Sequence, residues 1–241
     1  IVMGQPYFKV ERLCRQGRVS VFSSNFALYG DMSRRVMQLL ADWTPDVEIY
    51  SIDEAFLDLT GIREATTDRY LENMITSIRR ATGIPVSIGI GPTRTLAKVA
   101  NRIAKKNGLG RCSLMDDLFR QQCLEEFPVE DVWGVGRALA KKFTHMNLRT
   151  AGDLARLDPF RVRSDFSIVQ ERLVRELRGE ICGELEVVPP PKKSIQVSRS
   201  FGERHDDFDR LTQAVTTFTA RAAEKLRRQS GTAGAVHVYL N

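Results

Sequence analysis

Apolar residues recur every three to four positions from Tyr29 to Trp43. Met32, Val36, Leu39, Leu40 and Trp43 make one stripe, and Arg34, Arg35, Gln38 and Asp42 fall on the other side. That period predicts an amphipathic helix. The pair Thr44-Pro45 ends it, because a residue before proline avoids the α region. Two short runs then change the pattern: Val47 with Ile49, and Phe56-Leu57 with Leu59. Their β-branched, aromatic and aliphatic side chains suit a pair of short strands. Helical spacing returns from Thr66 to Ala81 through Tyr70, Met74, Ile75 and Ile78. Gly83-Ile84-Pro85 breaks it and leads into an apolar strand, Val86 to Ile90. A further helix is predicted over Thr95 to Lys106, with Leu96, Val99, Ala100 and Ile103 as its core stripe. The order helix, hairpin, helix, strand, helix implies an α+β layering with helices packed on one sheet.

The second half has a different rhythm. Val132-Trp133-Gly134-Val135-Gly136 precedes a predicted helix, Arg137 to Phe143, then a short turn and another helix, Thr150 to Leu157. This is a helix-hairpin-helix pattern, in which glycines let backbone N–H groups approach a phosphate closely at a helix start. A plain αα-hairpin with a glycine turn gives the same spacing. Phe160 to Arg178 continues helically through Val162, Phe166, Val169, Leu173 and Leu177. Pro189-Pro190-Pro191 and Lys192-Lys193 mark the clearest boundary, since consecutive prolines favour an extended spacer. Beyond it, Ser194 to Gly202 and Ala235 to Leu240 predict strands. Phe208 to Arg228 predicts a helix that buries Phe208, Leu211, Val215, Phe218, Ala222 and Leu226. A lone β-α-β half of this kind leaves a sheet edge open.

Composition narrows the class. At 241 residues and 27.3 kDa, with 42% hydrophobic and 27% charged residues, the chain is globular and long enough for one large or two to three small domains. It has no apolar run of about 18 residues, so no membrane span is expected, and no signal-peptide pattern opens it. Cys14, Cys112, Cys123 and Cys182 lack C-x-x-C spacing and read as isolated reduced thiols of a cytoplasmic protein, not as a zinc site or disulfide frame. The net charge of +6 and pI near 9.3 permit an anionic partner without identifying one.

The candidate chemistry starts with Asp53 and Glu54, which stand between the two short strands. In an ideal strand they would point to opposite faces. At a tight turn both can aim at one point. Two hard oxygen ligands at a sheet end suit Mg²⁺, above all when a substrate triphosphate completes the shell. A solvated acidic turn is the plainer alternative. Opposite the core stripe of the Thr95–Lys106 helix recur Arg94, Lys98, Arg102 and Lys105 or Lys106, and from Gly91 to Arg111 there are six basic residues and no acid. Solvated faces usually mix signs, so this run favours an anionic partner. Arg137, Lys141 and Lys142 add positive charge beside the glycine turn, where contacts hold nucleic acid without reading its sequence. Residues 192 to 241 add nine Lys/Arg against five Asp/Glu, a local net of +4.

The segment Tyr50-Ser51-Ile52-Asp53-Glu54-Ala55-Phe56-Leu57-Asp58-Leu59-Thr60-Gly61 resembles the signature of the Y-family translesion DNA polymerases. The likeness is strongest to their UmuC-type bacterial branch, which supplies the catalytic subunit of polymerase V. Further segments resemble the family in its order: Phe22-Ser23-Ser24-Asn25 with Tyr29-Gly30-Asp31-Met32-Ser33, Val86 to Gly91 with Thr95 to Asn101, Val132 to Gly136, and Ser198 to Arg204. Nearly the whole chain is covered. The resemblance implies a right-hand polymerase architecture. Residues 1–24 would be a remnant of the fingers. Residues 25–114 would form the catalytic palm, an antiparallel sheet with helices on one face. Residues 115–186 would form an all-α helix-hairpin-helix thumb, 187–194 a linker, and 195–241 a partial β-α-β little finger.

It also implies a function: error-prone, template-directed nucleotidyl transfer in SOS damage tolerance. Asp53 and Glu54 would be catalytic Mg²⁺ ligands, one metal lowering the pKa of the primer 3′-hydroxyl and the second stabilising leaving pyrophosphate. Lys105 matches the basic residue that reaches the incoming triphosphate. The family pattern has proline next where this chain has Lys106, so both lysines stay in play. Lys98, Gly134, Gly136, Arg137, Lys141, Lys142, Arg199 and Arg204 match DNA-contacting positions. Implied partners are primer–template DNA, a dNTP, a UmuD′-like accessory subunit, a recombinase filament and a sliding clamp, in a bacterial cytoplasmic, nucleoid-associated setting without a membrane. The chain opens at Ile1 and stops at Asn241 inside a predicted strand. Against the family pattern, the first palm strand with a further metal-binding Asp, the aromatic steric gate and most of the fingers would lie upstream. The two-metal site would thus be completed by a carboxylate missing from this chain, and the 241 residues alone are expected to be inactive. Two rivals stand: a non-catalytic DNA-binding module on a polymerase scaffold, and a palm-like cyclase, which leaves the helix-hairpin-helix and basic carboxyl-terminal region without a role.

Overall fold

A computed structural model describes residues 1–62, 68–188 and 190–240. The chain divides into two compact units, Ile1–Val187 and Val188–Asn241. The first unit carries the elements α1 (Tyr7–Gln16), α2 (Phe26–Ala41), β1 (Val47–Ile49), β2 (Ala55–Leu57), α3 (Asp68–Thr82), β3 (Ile88–Ile90), α4 (Arg94–Lys106), β4 (Arg111–Ser113), α5 (Asp117–Glu126), α6 (Arg137–His145), α7 (Ala151–Arg156), α8 (Pro159–Asp165) and α9 (Ile168–Leu177). The second carries α10 (Phe208–Arg228). The expected start of α3 at Thr66 lies outside the described residues, as does Pro189 of the proline boundary.

β1 and β2 form an antiparallel hairpin in the register Val47↔Leu57, Glu48↔Phe56, Ile49↔Ala55. Ile88 to Ile90 pairs with β4 instead, and that pair is parallel, with α4 as the crossover. The expected single antiparallel sheet is therefore corrected to two two-stranded sheets among the described residues. The reason is β4: Arg111-Cys112-Ser113 is too short to show a period, and its partner is set by the return path from α4. The approach of β3 to α4 depends on glycine. A Cβ at Gly89 would lie under 3.0 Å from Asn101 N and Ala97 O, and one at Gly91 would lie 2.7 Å from Leu96 Cβ.

α4 is the central element. Leu96, Val99, Ala100 and Ala104 are fully buried and join Cys112, Leu114, Leu124, Phe127, Val132, Phe143, Leu154 and Leu177 in one core. Thr93 caps its start, its Oγ1 accepting from Leu96 N at 3.2 Å. The buried Glu176 of α9 closes the same turn, its Oε2 accepting from Thr95 N at 3.1 Å and from Thr95 Oγ1 at 2.5 Å. This satisfies donors that a helix start leaves open. One apolar core thus ties α4 to the helical bundle α5–α9.

The expected continuous helix from Phe160 to Arg178 is two helices. Phe166 takes φ −129 and ψ −89, and Ser167 caps α9 with its Oγ accepting from Val169 N at 3.1 Å. The break lets the Phe166 ring turn onto Phe143, with centroids 5.3 Å apart. α1 and α5 were not foreseen, since neither stretch shows a long stripe. α5 is started by Asp116, whose Oδ1 accepts from Phe119 N at 2.8 Å.

In the second unit α10 spans Phe208–Arg228 as expected, started by Asp207. The expected strands Ser194–Gly202 and Ala235–Leu240 do not form among the described residues, because their backbones pair with no ladder partner. Gln196 does donate to the Tyr239 hydroxyl. The expected burial along α10 is corrected in the same sense. Leu211, Val215, Phe218, Ala222 and Leu226 are half-buried and Phe208 is 77% exposed. A helix stripe is buried by a sheet, and here no sheet is assembled. No helix among the described residues is long and apolar enough to cross a membrane.

Candidate active site

The hairpin between β1 and β2 is closed by its own backbone. Tyr50 N and Ser51 N both donate to Glu54 O, at 3.1 and 3.0 Å. This turn breaks strand alternation and brings Asp53 and Glu54 to the tip. Asp53 is exposed, with Oδ1 accepting from Ser51 Oγ at 2.6 Å. Glu54 is half-buried, and its Oε2 accepts from Lys98 Nζ of α4 at 2.7 Å.

Lys98 stands in a cage of rings. Its Nζ lies 4.7 Å from the Tyr50 ring centroid, 5.6 Å from Phe56 and 5.8 Å from Trp133. The three rings contact one another edge-on or tilted at 5.6 to 5.8 Å. Such cation–ring contacts are each worth about 0.5–2 kcal/mol, the larger value for a desolvated cation. One turn earlier, Arg94 Nη1 donates to Glu48 Oε2 at 2.6 Å, and Glu186 N donates to the same oxygen at 3.0 Å. Arg94 Nε is buried without a hydrogen-bond partner among the described residues. Residues i and i+4 of a helix share a face, so α4 docks the hairpin with two cations against two carboxylates.

This revises the reading of the basic run. Arg94, Lys98, Arg102 and Arg111 meet acids from distant segments: Glu48, Glu54, Asp131 and Asp68. Counting charges locally could not reveal partners 29 to 46 positions away in sequence, so the run overstated the free positive charge. Lys105 and Lys106 remain exposed in the last turn of α4, with no ion pair among the described residues. Lys105 follows Lys98 by seven residues, about 10 Å along the axis and about 20° from the same face. Lys106 is rotated by about 80° from it.

Trp133 connects the hairpin to the glycine turn. Its indole N–H donates to the Tyr50 hydroxyl at 3.2 Å. Val132 and Val135 are buried on either side, and Val135 N donates to Val132 O at 2.9 Å. Gly134 takes φ +91, a left-handed conformation that glycine adopts without strain. Gly136 is the N-cap of α6, and neither glycine has an atom within 4 Å of where a Cβ would stand. The start of α6 carries no acidic residue and no side-chain cap, and Arg137, Lys141 and Lys142 are exposed along it. Arg199 and Arg204 lie exposed in the second unit.

The residues expected at the site thus fall into groups. Asp53, Glu54 and Lys98 come together, Lys105 follows on the same face of α4, and Gly134 to Lys142 is tied to them through Trp133. Glu48, Arg94, Tyr50, Phe56 and Trp133 frame the site and were not singled out as site residues. The spacing of Arg94 and Lys98 was the available signal, read toward an external anion instead of inward. As a donor set for Mg²⁺, two carboxylates fit, because Mg²⁺ keeps several waters and binds through one or two carboxylates plus substrate phosphates. No cluster of three metal-ligating His, Cys, Asp or Glu occurs among the described residues.

Two models of one family match the chain: the impB/mucB/samB family over residues 1–102 and its C-terminal domain over residues 192–241. The protein UmuC of Salmonella typhimurium is 49% identical over 94% of this chain and 55% of its own length. MucB of Escherichia coli is 42% identical over 99% of the chain and 57% of its own. DNA polymerase IV of Caulobacter vibrioides is 31% identical over 96% and 56%. The chain spans about half the length of the curated relatives it matches. Among solved structures, a Y-family DNA polymerase chimera superposes with a TM-score of 0.77 at 20% identity, covering 93% of this chain and 64% of that one. A DinB family error-prone DNA polymerase from Sulfolobus solfataricus gives 0.62 at 19%, covering 93% and 67%. The family models and the relatives agree, and the chain belongs to the impB/mucB/samB family, in its UmuC-type branch.

Proposed function

We propose that this chain carries the catalytic hairpin of an error-prone translesion DNA polymerase, and that Asp53 and Glu54 are its Mg²⁺ ligands. One observation carries the reading: two adjacent carboxylates are presented at a backbone-closed hairpin tip and braced by α4. When bound, Mg²⁺ supplies Lewis-acid activation of the primer 3′-hydroxyl and charge stabilisation of the leaving pyrophosphate.

The chain's own residues do the rest. Asp53, exposed and oriented by Ser51, offers the more accessible oxygen. Glu54 is held by Lys98 until a ligand competes for its oxygen. Lys105, on the Lys98 face, holds triphosphate oxygens, where a fixed cation offsets charge that grows in the transition state. The uncrowded Gly134–Gly136 turn, with Arg137, Lys141 and Lys142, grips duplex backbone without reading sequence. Arg199 and Arg204 of the second unit are proposed as DNA contacts on family membership. Residues 25–114 then serve as palm, 115–186 as thumb, 187–194 as linker and 195–241 as part of a little finger. A UmuD′-like subunit, a recombinase filament, a sliding clamp and a cytoplasmic, nucleoid-associated setting are proposed on family membership.

The pairing of Glu54 with Lys98 favours a second reading for the 241 residues alone: a duplex-binding module that does not extend a primer. Two carboxylates, one of them engaged, do not bridge two metals. Primer extension with the complete protein tests the first reading, and with the 241 residues alone the second. Template-complementary products that require Mg²⁺ are expected from the complete protein and none from the 241 residues. Duplex binding without any extension would leave only the module.

A further inference from the structure

Trp133 belongs to two structures at once. It is the residue before Gly134, held between the buried Val132 and Val135, and it is a wall of the cage around Lys98. The cage reaches the acidic tip by two hydrogen bonds. The Tyr50 hydroxyl accepts from the Trp133 indole N–H, and the Tyr50 amide donates to Glu54 O across the turn. Lys98 touches all three rings and the Glu54 carboxylate with one ammonium group.

We propose that this ring cluster couples the Gly134–Gly136 loop to the Glu54 carboxylate, with Lys98 as the positioning residue between them. The coupling rests on the reading of Glu54 as a Mg²⁺ ligand and of the loop as a duplex contact. A dication on Glu54 competes with Nζ for the same oxygen and repels it, so Lys98 shifts against the rings. A phosphate taken up at Gly134 and Gly136 shifts the same rings from the other side. Each ligand then changes the affinity for the other by one common factor, as linkage requires.

The test uses the 241-residue chain. Its tryptophans are Trp43 and Trp133, so Trp43→Phe leaves Trp133 emission as a local reporter that does not depend on catalysis. MgCl₂ is titrated with and without a saturating short duplex of mixed sequence, and duplex affinity is read by anisotropy with and without Mg²⁺. Coupling predicts that duplex moves the Mg²⁺ midpoint by about fivefold or more, and that Mg²⁺ moves the duplex Kd by the same factor. Lys98→Met should abolish both shifts while each ligand still binds, and Lys98→Arg should retain part. If Lys98→Met does not fold, Trp133→Phe, which keeps a ring but loses the N–H to Tyr50, should reduce the shift seen by anisotropy. Binding of both ligands with no mutual shift overturns the coupling and leaves the polymerase reading standing. If neither Mg²⁺ nor duplex binds, both fall.

Discussion

Lys98 illustrates how one side chain changes meaning between sequence and structure. In sequence it is one cation of a stripe and invites an external anion. In the fold it is 16% exposed, bonded to Glu54 and ringed by Tyr50, Phe56 and Trp133. Asp53 and Glu54 were legible because adjacent acids between two strand-like runs are chemically conspicuous. Their bracing was not, because Glu54 and Lys98 are 44 positions apart. Helix geometry also separates Lys105 from Lys106. Lys105 shares the Lys98 face, so Lys105→Ala should raise the nucleotide concentration needed for half-maximal extension by about tenfold, and Lys106→Ala by much less, given that charge-assisted hydrogen bonds contribute about 1.5–3 kcal/mol. Steady-state extension against nucleotide concentration measures this, and a larger effect at Lys106 would reverse the assignment.

At the scale of elements, α4 was legible nearly to its ends, since its stripe is long and regular. β4 and the α8–α9 break were not, for opposite reasons. Three residues show no period, and the run from Phe160 to Arg178 shows one so even that the Ser167 cap is hidden within it. The close approach of β3 to α4 gives a direct check. Gly89→Ala places a methyl against the backbone of Asn101 and Ala97, where no side chain can yield. Overpacking of this kind costs about 1–3 kcal/mol or more, so the denaturant midpoint should fall sharply. An unchanged midpoint would mean that β3 and α4 are further apart. The start of α7 gives another check. Asp153 accepts from Arg149 N at 2.8 Å, Thr150 N at 3.0 Å and Arg156 Nη2 at 2.6 Å. These bonds, the Arg149 amide first, hold its carboxyl below the usual range. A depressed folded pKa contributes stability that is present above the unfolded value of about 3.9 and is lost as pH falls through the folded one. The stability difference between wild type and Asp153→Asn should therefore be flat from pH 7 to about pH 5 and shrink below about pH 4. A difference that does not vary with pH would contradict the ionised cap.

At the scale of the molecule, the α+β character and the boundary composition near Pro189 were visible in sequence. The way one core runs from α4 through α9 was not, because its contacts join residues such as Thr95 and Glu176 that no local pattern relates. The second unit shows the limit most plainly. The α10 stripe is regular enough to place the helix, but burial needs a partner surface, and residues 194–202 and 235–240 supply no sheet. Function at this scale comes down to whether the hairpin tip does the chemistry. Single-turnover incorporation of one nucleotide by the complete protein, wild type against Glu54→Ala, decides it when duplex affinity is measured on the same preparations. Removing a metal ligand should slow incorporation by at least about a hundredfold, ~2.7 kcal/mol of barrier, with duplex affinity unchanged. Incorporation within about tenfold of wild type, less than ~1.4 kcal/mol, would contradict the assignment of Glu54 to the reacting centre.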